Sequence, residues 1–187
     1  MLEVLVPPVE GYNDEKNEFF NICNGGVLQL EHSLLSIHKW EQKYHRAFLD
    51  NGSTPKSEEE TKYYVKCMTI NKNVDPEIYN HLPSKCMLEI KQYIEDPMTA
   101  TTFNEPKENG KPSKQIITSE LIYYWMIVHS IPFECQKWHI HRLLTLIRVC
   151  NIKSQAGQKM TKAEKAAAIA KRRELNAARR AALNSKG

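Results

Sequence analysis

A mainly α-helical α+β domain, with a small sheet at its N-terminus, is predicted by three observations. Residues 1–30 alternate with the period of strands, residues from Ser33 onward recur at three- and four-residue steps, and two segments carry helix-capping signals. The 187 residues allow one domain, or one domain with an appendage, and a core of that size is stable without disulfides or metal. Charged residues are 26% and hydrophobic residues 41%, the balance of a globular protein rather than a disordered, collagenous or membrane-embedded one.

The elements follow in order. Leu2, Val4 and Val6 alternate with Glu3 and Leu5, and Pro7-Pro8 closes the run. Glu18 to Ile22 is ambiguous, Asn24-Gly25-Gly26 marks a turn, and Val27, Leu28 and Leu30 resume an extended pattern. Leu34, Ile37, Trp40, Tyr44 and Phe48 define an amphipathic helix ending near Asp50-Asn51-Gly52. Ser57-Glu58-Glu59-Glu60 is a capping box opening a helix through Met68. Asp75-Pro76 reads as an N-cap with proline at the first helical position. Ser84 to Glu95 carries Met87, Ile90 and Ile94 on one side of another helix, which Asp96-Pro97 ends. Residues 104–114 hold two prolines, a glycine and no large apolar residue, so an exposed, mobile loop is predicted there. Leu121, Ile122, Trp125, Met126 and Val128 predict a central helix, hydrophobic nearly all round. A second helix from Phe133 to Cys150, with Ile140, Leu143, Leu144 and Ile147 on one face, would pair with it as an antiparallel hairpin at the heart of the fold. Asn151 to Lys159 reads as a polar linker. Thr161-Lys-Ala-Glu164 is a second capping box, opening an Ala/Lys/Arg-rich helix to about Leu183 that would protrude from the body.

Charge divides along the same line. Residues 1–152, the α+β body, carry 16 basic and 20 acidic residues, a net −4; residues 153–187, the linker and basic helix, carry 10 basic and 2 acidic, a net +8. The five cysteines, at 23, 67, 86, 135 and 150, are odd in number and form no C-x-x-C pair, so reduced thiols and an intracellular protein are expected. The N-terminus lacks the basic region of a signal peptide. The longest apolar run, Leu121 to Val128, is eight residues against the about 20 of a membrane helix.

Catalytic and cofactor signals are weak. No G-x-S-x-G, P-loop or G-x-G-x-x-G motif occurs. Cys135 and His139, four apart, could share a helix face as a thiolate–imidazole pair, but no orienting third group can be named. Cys135, His139 and His141 lie within seven residues, yet a helix turns position 141 away from the other two, and zinc needs four converging ligands. The expectation is a protein with no enzymatic site, no metal and no cofactor. Trp40, Trp125 and Trp138 are expected to be core rather than pocket. The basic tail is the stronger signal: Lys171, Arg172, Arg173, Leu175, Arg179 and Arg180 are the candidate partner-binding residues. Residues 153–187 contain no Phe, Tyr or Trp for base stacking, so docking onto an acidic protein surface is favoured over nucleic acid, beside the plainer reading of a solvated helix whose charges give solubility.

Several blocks carry a family resemblance: Leu28-Gln-Leu-Glu-His-Ser-Leu-Leu-Ser-Ile-His-Lys-Trp-Glu, Lys66-Cys-Met-Thr-Ile-Asn-Lys-Asn-Val-Asp-Pro-Glu, Glu95-Asp-Pro-Met-Thr-Ala-Thr-Thr-Phe, Ile131-Pro-Phe-Glu-Cys-Gln-Lys-Trp-His-Ile and Arg142-Leu-Leu-Thr-Leu-Ile-Arg-Val-Cys-Asn-Ile-Lys. In order and character they resemble the tail assembly chaperones of long-tailed bacteriophages. The pattern departs at His141, where Asn is expected after the Trp-His pair. The resemblance implies a non-enzymatic morphogenesis factor in the host bacterial cytoplasm. Its partners would be the long helical tape-measure protein and possibly the tail tube protein, with no membrane. It brings no catalytic or cofactor residues. A structural tail or neck protein of the virion, and a nucleic-acid-binding protein acting through the basic tail, are the alternatives.

Overall fold

The structure, a computed structural model, describes residues 1–50, 55–103, 116–157 and 162–182. Its class is α+β, and among the described residues the strands lie at the N-terminus. Contacts divide the chain into two compact units, Met1–Arg148 and Val149–Gly187.

Four strands, β1 (Leu2–Val6), β2 (Val9–Asn13), β3 (Glu18–Cys23) and β4 (Gly26–Leu30), form two antiparallel pairs, β1 with β4 and β2 with β3. The sequence predicts one small sheet and leaves β2 and β3 undecided. The two pairs are in fact successive stretches of one hairpin. Val6 faces Gly26 and Val9 faces Cys23, so a single register crosses the gap, and it shifts only between Val9 and Glu10. The gap has a chemical cause: Pro7 and Pro8 have no N–H to give to a ladder. Opposite them Gly25 sits at φ +65, where a Cβ would lie 2.5 Å from the Val6 carbonyl oxygen and 2.6 Å from the Pro8 nitrogen. Only glycine fits there.

The inner stretch, β1–β4, belongs to the core. Val4, Val6, Leu28 and Leu30 are buried while Leu5 points outward. β1 packs on α3 (Ser84–Glu95), and β4 on α2 (Glu58–Met68). The outer edge of β4 is satisfied by the chain leaving α2: Ile70 N–H donates to the Gln29 carbonyl at 2.8 Å, and the Asn71 side chain accepts from Gln29 N–H and donates to the Val27 carbonyl.

The hub is α1 (Leu34–Tyr44), which packs against α2, α4 (Ser119–Val128) and the 3-10 turn Phe133–Lys137. Leu34, Ile37 and Trp40 on it are fully buried. Ser33 caps its start, accepting Ser36 N–H. The helix stops at Tyr44, well before the predicted Asp50. His45 takes the left-handed conformation (φ 50), and the chain turns back so that Phe48 enters the core. The buried Glu41 carboxylate holds that turn: Oε1 accepts Phe48 N–H, and Oε2 accepts Ser119 N–H at the start of α4, both at 2.8 Å. A negative charge is favoured at a helix N-terminus.

The Ser57 capping box forms as the sequence predicts, with Ser57 accepting Glu60 N–H and Glu60 accepting Ser57 N–H. Glu60 also takes both oxygens to Arg46 Nη2 at 3.0 Å. Asp75 caps as predicted, but the helix it opens is only the 3-10 turn Pro76–Tyr79.

The predicted helical hairpin is not the centre of the fold. Only Ser119, Ile122 and Met126 of α4 are buried, while Tyr124, Ile127 and Val128 are more than half exposed. Its principal partner is α1. Nor is Phe133 to Cys150 one helix. After the 3-10 turn the chain straightens at His139, which bridges Ser33, and Ile140 N–H donates to the His32 carbonyl at 2.7 Å before α5 (Ile140–Gly157) begins. Trp40 is core, whereas Trp125 and Trp138 are half-buried. α5 continues through Gly157, so residues 151–157 are helical where a polar linker is predicted. α6 (Lys162–Ala182) follows. The loop at 104–114, Thr161 of the second capping box and Leu183 lie outside the described residues.

Two substitutions test this construction. Glu41→Ala leaves two backbone N–H groups unsatisfied and is expected to cost about 2–4 kcal/mol in urea denaturation. Gly25→Ala forces a Cβ into the Pro7-Pro8 backbone and is expected to cost about 1–3 kcal/mol by the same measurement.

Candidate functional site

The structure separates the pair singled out as a thiolate–imidazole candidate. Cys135 is buried in the 3-10 turn, and His139 lies in the extended segment after it, so the two no longer share a helix face. The strand-like bridge to Ser33 instead turns His139 toward His32, a residue the sequence reading passed over.

His32, His139 and His141 form a cluster. Ring centroids are 5.0 Å apart for His32–His139, 5.3 Å for His139–His141 and 5.9 Å for His32–His141. Each ring is held by one nitrogen. His32 Nδ1 meets the Tyr64 hydroxyl at 2.6 Å, His139 Nε2 faces the Tyr93 carbonyl at 3.0 Å, and His141 Nδ1 faces the Asp96 carbonyl at 2.9 Å. A carbonyl can only accept, so His139 carries its proton on Nε2 and presents Nδ1 as an acceptor. That Nδ1 is buried without a hydrogen-bond partner. Burial, and then the neighbouring His139 and His141, push the His32 pKa down to about 3. Burial also lowers His139, against the opposing pull of the Tyr93 carbonyl. Among the described residues, no three His, Cys, Asp or Glu side chains are grouped so as to hold a metal ion.

Beside α1 lies an open cleft of about 320 Å³, lined in part by Ser36, Lys39, Cys67, Thr69 and Lys137. Burial raises the Cys67 thiol, and no histidine lines the cleft to take its proton.

The candidate partner-binding residues all fall on α6. Its length of 21 residues follows from a run made mostly of strong helix formers, with no Gly or Pro within it. From Ala166 to Arg180 every side chain is exposed. At 100° per residue Lys171, Leu175 and Arg179 form one line, with Arg172 beside it, and Ile169, Arg173 and Arg180 form another. Ala166, Ala170 and Ala177 occupy the opposite side. The helix therefore gathers the cations on one half, with Ile169 and Leu175 as isolated aliphatics among them, and leaves the other half small and nearly uncharged.

A second surface escaped the sequence reading. Tyr12 on β2 and Phe19, Phe20 and Ile22 on β3 are all exposed. Cross-strand pairing puts Tyr12 opposite Phe19, with ring centroids 4.9 Å apart, and the Tyr12 hydroxyl donates to Asn17 Oδ1. The adjacent Phe19-Phe20 was the available signal, since consecutive strand residues point to opposite faces.

His32 sets a pH dependence. Its folded pKa lies below the unfolded value of about 6.5, so the unfolded chain takes up the extra proton. Stability is full above about pH 6.5 and falls as pH drops toward about 3, by up to about 1.4 kcal/mol per pH unit. Urea unfolding at about pH 7 and about pH 5 measures the slope. His32→Gln is expected to flatten it, and an equal slope in both proteins would remove His32 as its source.

No family model, no curated protein and no solved structure matches this chain.

Proposed function

We propose that this chain is a non-enzymatic tail assembly chaperone that holds a long, helical, tape-measure-type partner in the host bacterial cytoplasm until the tail tube forms around it. The observation that carries the reading is α6. Its cationic half and its alanine half together suit helix-on-helix docking, in which small side chains allow close approach and flanking charges set the register. The sequence blocks from Leu28 to Lys153 and the tail-module proteins they resemble add to this support. No helix among the described residues is long and apolar enough to cross a membrane. The cations of α6 also suit phosphates, but without an aromatic side chain on the helix for bases to stack on.

Co-expression with a phage tape-measure protein is the direct test. Its soluble yield is expected to rise, and it is expected to co-purify with the chain. Lys171→Glu, Arg172→Glu and Arg173→Glu combined should abolish the co-purification. Unchanged solubility with no co-purification refutes the reading. Stoichiometric copies of the chain in purified virions would instead favour a structural tail or neck protein. Steeply salt-dependent DNA or RNA binding, lost with the tail, would favour a nucleic-acid-binding one.

A further inference from the structure

The hairpin changes character along its length. Its inner stretch lies against α2 and α3, and its outer edge on β4 is hydrogen-bonded to residues 70 and 71. Its outer stretch, the β2–β3 arm, is a two-stranded ribbon. Such ribbons are marginal in water unless another layer covers them. Yet this one exposes four large apolar side chains: Phe19 at 74%, Phe20 at 51%, Tyr12 at 46% and Ile22 at 37%. They are held in place. The tip closes through Asn13 Oδ1, which accepts the N–H groups of Glu15 and Lys16. The Phe20 ring lies over Gly11, where a Cβ would come within 2.6 Å of it, so the absence of a side chain at Gly11 lets the ring settle on the strand.

The arm is also acidic. Residues 9–23 hold Glu10, Asp14, Glu15 and Glu18 against Lys16 alone, a net −3. Pairing of Glu10 with Asn21 and of Tyr12 with Phe19 puts Glu10, Tyr12 and Phe19 on one face; Glu18, Phe20 and Ile22 share the other. Each face thus sets a carboxylate beside an exposed aromatic ring.

We propose that the β2–β3 arm is a docking surface for a cationic amphipathic polypeptide segment. The segment lays its apolar side chains on Tyr12 and Phe19 and sets Lys or Arg side chains against Glu10 on the same face. Aromatic anchors supply the buried contact, and the acidic rim selects the sign of the partner. Charge decides between occupants. A second arm carries the same net −3 and is repelled, and anionic lipid and nucleic acid are repelled likewise. The proposal does not rest on the tail-assembly reading, since it concerns a different surface and any partner of this chemistry.

The experiment titrates the full chain with two fluorescently labelled synthetic helices of about 18 residues, one of Lys and Leu and one of Glu and Leu in the same amphipathic pattern. The Lys/Leu peptide is expected to bind at micromolar concentration and the Glu/Leu peptide not at all. Phe19→Ser and, separately, Glu10→Lys should each weaken binding by about tenfold or more. The charge variant keeps every aromatic, so it reads the docking even if Phe19→Ser loosens the ribbon, and far-UV circular dichroism checks that the body is intact. Arg172→Gln with Arg173→Gln on α6 should leave the affinity unchanged. Equal binding of both peptides, no binding of the Lys/Leu peptide, or indifference to the arm charge variant overturns the proposal. Arm-dependent capture by phosphatidylcholine vesicles without peptide binding overturns it in favour of a lipid surface.

Discussion

Glu41 is an acidic side chain on the inner face of α1, almost wholly out of water, and its two oxygens accept one backbone N–H each from Phe48 and Ser119. Burying a carboxylate is costly unless its lone pairs are filled. Here they are filled by the turn that follows α1 and by the first turn of α4. α1, the turn that follows it and the distant start of α4 are therefore fixed by one group. The turn sends Phe48 back against Trp40 and Tyr64, with ring centroids 5.1 and 4.1 Å away. The start of α4 is set on α1, and α4 is left with one face inward and one outward. The exposed apolar side of that helix is a consequence of where its N-terminus is tied.

Local signals translated well where the partner of each group lay within one turn. Ser57 and Glu60 satisfy each other, Asp75 caps the residue two ahead, and the helix at Ser84–Glu95 has the predicted bounds. Failures came where a distant backbone supplied the partner. Residues 138–139 have helical periodicity, but Ser33 and the His32 carbonyl draw the chain straight there. Phe48 continues the spacing of α1 perfectly, yet it reaches the core by a turn-back that Glu41 rewards, not by a longer helix. β2 and β3 were unreadable for the opposite reason: Glu, Gly, Tyr and Asn in β2 make no pattern until the β1–β4 register carries them into alignment.

The polar groups of the interior are engaged in joining elements. Tyr64 meets His32, Tyr93 donates to Glu31 Oε1 at 2.6 Å, Tyr79 donates to Thr69, and the Trp40 indole N–H donates to the Glu60 carbonyl. Two atoms are exceptions among the described residues: Arg46 Nε and His139 Nδ1, the latter on a ring beside two other imidazoles, are buried without a hydrogen-bond partner. A neutral acceptor in that place is tolerable; a protonated ring there would add a charge beside two more imidazoles. Burial thus favours the fold with His32 and His139 neutral, and the chemistry of the cluster is that of structure under a proton constraint.

Surfaces therefore carry the functional argument, and the two that stand out differ in how they were legible. α6 could be read from composition alone, because a run dominated by Ala, Lys and Arg, with no Gly or Pro, leaves few other structures. The arm could not. Tyr12, Phe19, Phe20 and Ile22 have the hydropathy of core residues, and a third layer over the ribbon would have made them so. α3 and α2 pack on β1 and β4, whereas these four side chains of the β2–β3 stretch stay in water. The two surfaces also suit different recognition. Alanines and long charged side chains adapt, at an entropic cost each time a Lys or Arg is fixed. Rings braced on a ribbon have little freedom left to lose, so apolar contact made there retains more of its free energy.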